Sequence, residues 1–216
     1  MYDFHTHTLL SDGDLLPSEL LRRMKVIGYT TVAITDHVDR SNLVWTIRAI
    51  ERIRPSAEEM GIRLLAGVEI THVPPPEIPG LARLAKDEGA EIVVVHGETP
   101  VEPVAPGTNH AACESPDVDI LAHPGLITPE DAASAAAKDI ALEITARGGH
   151  NRTNGHVAKT AKQSGCLLVI DSDAHHPGDL MSEQDRKIIA LGAGVDREKL
   201  ESLLSIKRNA FYQRFT

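Results

Sequence analysis

Ile92-Val93-Val94-Val95-His96 is a run of four apolar, β-branched residues that ends on an imidazole. Such a run leaves no polar face, so it reads as a strand buried on both sides, as in a parallel sheet covered by helices. Similar runs recur outward in both directions, at Tyr2 to Phe4, Thr31 to Ile34, Leu64 to Val68, Ile120 to Ala122, Ala141 to Ile144 and Leu167 to Ile170. Helix signals fill the gaps. Pro17-Ser18-Glu19 opens a helix to about Val26 that Gly28 stops. Ser41 is placed to cap a helix carrying Ile47, Ile50 and Ile53 on one face. Thr128-Pro129-Glu130-Asp131 supplies a cap, a first-turn proline and acids at the positive helix end. Asn154 to Gln163, Ser182 to Leu191 and Asp196 to Lys207 are the last three predicted helices. Strand–helix alternation repeated about seven times predicts a parallel sheet, either closed as a TIM-like barrel or open and doubly wound. No Gly-x-Gly-x-x-Gly follows the first strand, which removes the usual dinucleotide fingerprint.

Bulk properties fit a single domain over 1–216. Apolar residues make up 42% and charged residues 25%, typical of a globular chain. The formal charge of -9 and the 3% aromatic content argue against a clamp for long nucleic acid. An acidic excess is also what a cluster of metal-binding carboxylates would leave. Cys113 and Cys166 form neither a disulfide framework nor a Cys-x-x-Cys pair. The N-terminus has no basic or apolar leader pattern, and no apolar run approaches the roughly 18 residues that span a bilayer, so a cytoplasmic protein away from membranes is expected.

The positions of the histidines carry the functional reading. His5 and His7 extend the first strand, Asp36 and His37 follow the second, and Glu69 ends the third. His96 and His123 end the fourth and fifth, while Asp171, Asp173 and His175 extend the seventh. In a β/α barrel all of these are C-terminal strand ends and converge on one face. Asp3, His5 and His7 are two apart, as are Asp171, Asp173 and His175, so each set points one way along an extended chain. Imidazole and carboxylate without thiolate suit Zn, Mn or Fe, and the number of donors exceeds the need of one tetrahedral ion. Two or three divalent ions are expected.

These residues, in this order, resemble the polymerase and histidinol phosphatase (PHP) family. The motifs are Asp3-Phe4-His5-Thr6-His7, Ser11-Asp12-Gly13, Thr35-Asp36-His37, Gly67-Val68-Glu69, Val95-His96-Gly97, Ala122-His123-Pro124 and Ser172-Asp173-Ala174-His175. The resemblance implies a distorted (β/α)7 TIM-like barrel with up to three ions. It would place the first on His5, His7, Glu69 and Asp173. Glu69 would bridge to a second held by His96 and His123. Asp12, His37 and His175 would hold the third. Asp3 and Asp36, and Asp171 with them, would orient ligand imidazoles. A hydroxide between two ions would be the nucleophile. Histidinol phosphatases of this family often carry histidine where Asp12 stands and are usually longer, so the resemblance implies the chemistry more than the substrate.

The sixth strand leads into Thr145-Ala146-Arg147-Gly148-Gly149-His150-Asn151-Arg152. Arg147 and Arg152 are candidates to grip a phosphate, and His150 to contact substrate or protonate the leaving group. His72 is expected at the entrance, whereas His110, His156 and His176 read as ordinary surface or helix residues. The expected partner is a small phosphorylated metabolite, with the oligomeric state open. The alternatives are a phosphodiesterase or exonuclease on nucleotides or short oligonucleotides, and a non-catalytic metal-binding barrel.

Overall fold

A computed structural model describes residues 1–205 and 208–215. Seven strands form one parallel sheet: β1 (Tyr2–Asp3), β2 (Thr31–Ile34), β4 (Arg63–Ile70), β5 (Ile92–His96), β6 (Ile120–Ala122), β7 (Ala141–Thr145) and β8 (Leu168–Asp171), paired in that order. A two-residue strand, β3 (His37–Val38), pairs with the upper half of β4 after β2 has ended. The extensions of β1 and β8 then meet. His7 N–H donates to the Ala174 carbonyl at 2.9 Å, and Asp173 N–H to the His5 carbonyl at 3.0 Å. The sheet is thereby a nearly closed barrel of the expected PHP-like kind.

Helices α1 (Pro17–Ile27), α2 (Leu43–Glu51), α3 (Arg54–Glu59), α4 (Ile78–Asp87), α5 (Thr108–Glu114), α6 (Pro129–Ala137), α7 (Asn154–Ser164), α8 (Glu183–Gly192) and α9 (Arg197–Leu204) surround it. Their apolar faces meet the outward side chains of the strands, such as Val68, Val93, Val95 and Leu121. Inside the barrel, Ala33, Leu65, Ile92, Val94, Ile120 and Ala141 pack with Tyr2 and Phe4. The C-terminal turn plugs this end: Phe4 has Phe211 at 5.3 Å and Phe215 at 5.9 Å between ring centroids, and Tyr212 Oη lies 2.9 Å from Thr31 Oγ1. Most of the chain's few aromatic side chains are spent on closing the end opposite the histidines.

Several local expectations need correction. α4 and α5 carry no helix signal strong enough to read, since α4 begins Ile-Pro-Gly and α5 is seven residues long. Proline is tolerated in a first turn, and packing of Ile78, Leu81, Ala82 and Ala85 supplies what propensity does not. Ser41 does not cap α2; its hydroxyl donates to Asp39, and the helix stops at Glu51 before Arg54-Pro55 opens α3, leaving Ile53 in the break. The last helix ends at Leu204, and Lys207 lies outside the described residues. Thr128 does cap α6, accepting from Asp131 N–H at 3.0 Å. Both cysteines are free. No described helix is long and apolar enough to cross a membrane.

Candidate metal centre

Every strand top contributes to one basin. His5 and His7 project the same way because one residue separates them, and the Thr6–Ala174 bridge sets them beside Asp173 and His175. His37 is level with Glu69 across the β3–β4 pair. His96 ends β5, and His123 follows β6. Gly13 lets the Ser11–Asp12 loop fold onto β1, since a Cβ there would stand 2.6 Å from the His7 carbonyl carbon. His123 and Asp173 adopt positive φ, 29° and 51°. Such backbone is costly for residues with a side chain and is held only where the surroundings enforce it.

The donor atoms fall into groups. Donors about 2.1 Å from a tetrahedral ion stand about 3.4 Å apart. His5 Nε2 lies 3.3 Å from Glu69 Oε1, His7 Nε2 lies 3.6 Å from Glu69 Oε2, and His7 Nε2 lies 3.3 Å from Asp173 Oδ1. Asp12 Oδ1 is 3.4 Å from His37 Nε2 and 3.3 Å from His175 Nε2, and those two nitrogens are 3.5 Å apart. His96, His123 and His150 make a third group, tied to the first because His123 Nε2 is 3.6 Å from Glu69 Oε1. Glu69 is therefore shared. His5 Nε2, both nitrogens of His7 and both oxygens of Glu69 are buried without a well-formed hydrogen bond. Buried lone pairs converging at ligand spacing fit divalent cations, because leaving them unmatched would be expensive.

Electrostatics divide the imidazoles, with His7, His123 and His150 lowered and His5, His37 and His96 raised. Burial, with the charge of His37 next, holds His7 well below the usual imidazole range, and burial with His96 does so for His123. Neutral imidazole is the ligating form. Burial raises the Asp173 carboxyl to about 7, with Glu69 and Glu143 adding repulsion. Burial opposes the charge on His5, but Glu143, Glu69 and Asp173 outweigh it and raise the imidazole.

Glu143 has no counterpart in the sequence reading. It is fully buried in β7; Oε1 lies 2.7 Å from His5 Nδ1, and Oε2 accepts from His123 N–H at 2.9 Å. A carboxylate inside an apolar barrel strand, at Ala141-Leu142-Glu143-Ile144, is the signal that could have found it. Glu102, from the loop after β5, was also missed. Its Oε2 is 3.1 Å from His96 Nε2 and from His72 Nε2, and its Oε1 is 3.2 Å from His150 Nε2. The hydrogen bond from His96 brings its carboxyl down to about 2.

The three aspartates expected to orient imidazoles bind backbone and hydroxyl groups instead. Asp3 accepts from the N–H groups of His5 and Ser172, Asp36 from Thr8 and Ser11, and Asp171 from Phe4 N–H at 2.8 Å. They lock the loops and strand extensions that carry the candidate ligands. Burial pushes the Asp3 carboxyl up to about 6, against a hydrogen bond from Ser172 and the charge of Arg186. Arg186 is itself fully buried, stacked 4.2 Å above the Tyr2 ring and donating to the Ile170 carbonyl.

A cavity of about 440 Å³ opens over the basin, and His72, His150 and Arg147 line it. His150 stands with His96 and His123, within ligand spacing of both. Arg147 pairs with Asp179 at 3.1 Å. Arg152 is exposed and does not line the cavity. The remaining histidines have structural partners: His110 pairs with Asp131, His156 bonds the Ile127 carbonyl, and His176 caps the turn at Gly178.

The PHP-domain model matches residues 3–153. A Methanocaldococcus jannaschii protein described as uncharacterized, MJ1295, is 50% identical over 94% of both chains. Ribonuclease P protein component 3 of Methanosarcina barkeri is 27% identical over 94% of this chain and 84% of its own. Among solved structures, a Listeria monocytogenes candidate histidinol phosphatase superposes with a TM-score of 0.61 at 12% identity, covering 83% of this chain and 97% of that one. At that identity the likeness speaks for the fold.

Proposed function

Since the chain belongs to the PHP-domain family of metal-dependent phosphoesterases, we propose that it hydrolyses a small phosphomonoester at a three-ion centre. The observation that carries this reading is the set of interlocked imidazole–carboxylate groups sharing Glu69 beneath an open cavity. His5, His7, Glu69 and Asp173 would hold one ion. Glu69, His96 and His123 would hold the second, with His150 added to them by its position. Asp12, His37 and His175 would hold the third. Zn, Mn and Fe all suit these donors. When bound, the ions would supply a hydroxide at neutral pH and neutralise charge on the phosphate oxygens. The chain's own part is to fix the ligands. Glu143 orients His5, Asp36 ties the Asp12 loop to Thr8 and Ser11, and Arg147 presents a guanidinium at the rim. Arg147 can exchange Asp179 for a phosphate, since a partly exposed ion pair holds it only weakly.

The test is a phosphomonoester panel with Zn, Mn or Fe supplied separately. Phosphate release that depends on metal, and that falls with bound metal in His7→Ala and Asp173→Ala, is expected. A metal-loaded protein inert to the whole panel, or full activity in both variants, would overturn the assignment. A second reading, phosphodiester cleavage on short oligonucleotides, has support in the cavity's open form and in the ribonuclease name of the Methanosarcina relative. Release of mononucleotides from a short single strand is its signature.

A further inference from the structure

The chain holds one tryptophan, and Trp45 is 57% exposed. Tyr2, Phe4, Tyr29, Phe211 and Tyr212 are all buried, so this exposure is out of keeping with the other aromatic residues. Trp45 lies on α2, and Arg48 and Arg52 follow it by three and seven residues, which puts all three on one helical face. Arg40 stands just before the helix. A groove of about 450 Å³ runs along this face, lined by these residues with Ser41, Val44 and Ala49, and no carboxylate lines it. In a chain of net charge -9 such a cationic strip is unexpected.

The groove adjoins the metal basin at one residue. Ser41 lines both, and Asp39, Asn42 and His37 carry the wall onward to the ligands. From Ser41 to Arg52 the helix face runs about 16 Å. Arg40 is paired with Glu77 at 3.5 Å and Arg48 with Glu88 at 3.0 Å, but both arginines are about two-thirds exposed. Pairs this open exchange readily for another anion. Arg52 has no ion pair with any described residue and is exposed.

We infer that this face is a platform for short single-stranded nucleic acid: a base stacks on Trp45, backbone phosphates meet Arg40, Arg48 and Arg52, and a scissile or terminal phosphate sits in the basin. Stacking on an aromatic ring is indifferent to sequence, and guanidinium groups beside it bind the phosphates. A membrane surface would also take an exposed tryptophan among arginines, but the place of this face beside a phosphoesterase basin favours a phosphate-bearing chain that reaches both. The inference rests on the phosphoesterase reading for the basin, but not for the platform itself.

Because Trp45 is the sole tryptophan, its fluorescence reports occupancy of the face directly. The probe is a phosphorothioate tetranucleotide, which resists cleavage, titrated into the metal-loaded protein. Saturable quenching is expected, weakening as salt rises, with little response to inorganic phosphate. Arg48→Glu/Arg52→Glu should weaken the dissociation constant at least tenfold while leaving Trp45 as reporter. Trp45→Ala should raise KM about tenfold for the cleavable tetranucleotide and leave hydrolysis of p-nitrophenyl phosphate unchanged. Absence of quenching, affinity unaffected by charge reversal, or equal losses on both substrates would overturn the platform. Quenching without hydrolysis of either substrate would keep the platform and overturn the phosphoesterase reading instead.

Discussion

Replacing Glu143 by glutamine changes one atom type at the centre of the site and leaves its shape intact. Glu143 accepts at both oxygens, with Oε1 2.7 Å from His5 Nδ1 and Oε2 2.9 Å from His123 N–H. Glutamine has one acceptor and one donor, so one of these two buried N–H groups must face an amide N–H. A buried donor left without an acceptor costs about 1–3 kcal/mol. Loss of the group that orients a ligating imidazole costs about 10- to 100-fold in metal affinity, or about 1.4–2.7 kcal/mol. The two estimates overlap, so Glu143→Gln should weaken the ion on His5 by about 10- to 100-fold. If the amide turns to satisfy His123 N–H, His5 is driven to the tautomer that cannot ligate through Nε2, and the loss lies at the upper end. Chelator competition measures the affinity, and circular dichroism checks that the fold is kept. A folded Glu143→Gln that holds its ions as tightly as the unaltered protein would refute the reasoning.

Other outcomes follow from the same geometry. Arg186→Met leaves the buried Ile170 carbonyl without the Arg186 guanidinium that donates to it and should lower unfolding free energy by about 1–3 kcal/mol; an unchanged urea midpoint would contradict this. Arg147→Ala should raise KM for a phosphate ester by about 10- to 100-fold, the worth of a charge-assisted hydrogen bond, whereas Arg152→Ala should leave it unchanged; equal effects would remove Arg147 from the phosphate grip. Chelation should lower the melting temperature, because ions that bind only the folded chain stabilise it by mass action; a melting curve indifferent to chelator would mean that the basin is empty in solution.

The barrel was legible because its strands are apolar on both faces, as at Ile92–Val95, and because the candidate ligands sit at strand ends where topology gathers them. Strand ends and spacing put His5, His7, Glu69 and Asp173 on one face, and the family resemblance implied that they share an ion. Residues whose role depends on contacts across the barrel could not. Glu143 stands out as a carboxylate in an apolar strand, but its partner, His5, appears only when the barrel closes; Arg186 is an ordinary letter in an amphipathic helix until Tyr2 is brought over it. Glu102 lies in an irregular loop whose path no periodicity fixes. The cationic strip on α2 was invisible because its arginines are diluted by buried Ile47 and Ile50 along the chain and collect only on the helix surface. Asp3, Asp36 and Asp171 lie beside ligands in sequence, yet the backbone turns their carboxylates toward N–H and hydroxyl groups below the basin.

One shared carboxylate, Glu69, would link several ions into a hydrolytic centre. Stepwise return of Mn or Zn to the metal-free protein, with bound metal and phosphate release followed in the same samples, tests it most directly. Binding should continue beyond one equivalent per chain, and phosphate release should appear only as the second ion is taken up. Saturation at one equivalent, or full phosphate release before any ion is bound, would contradict it.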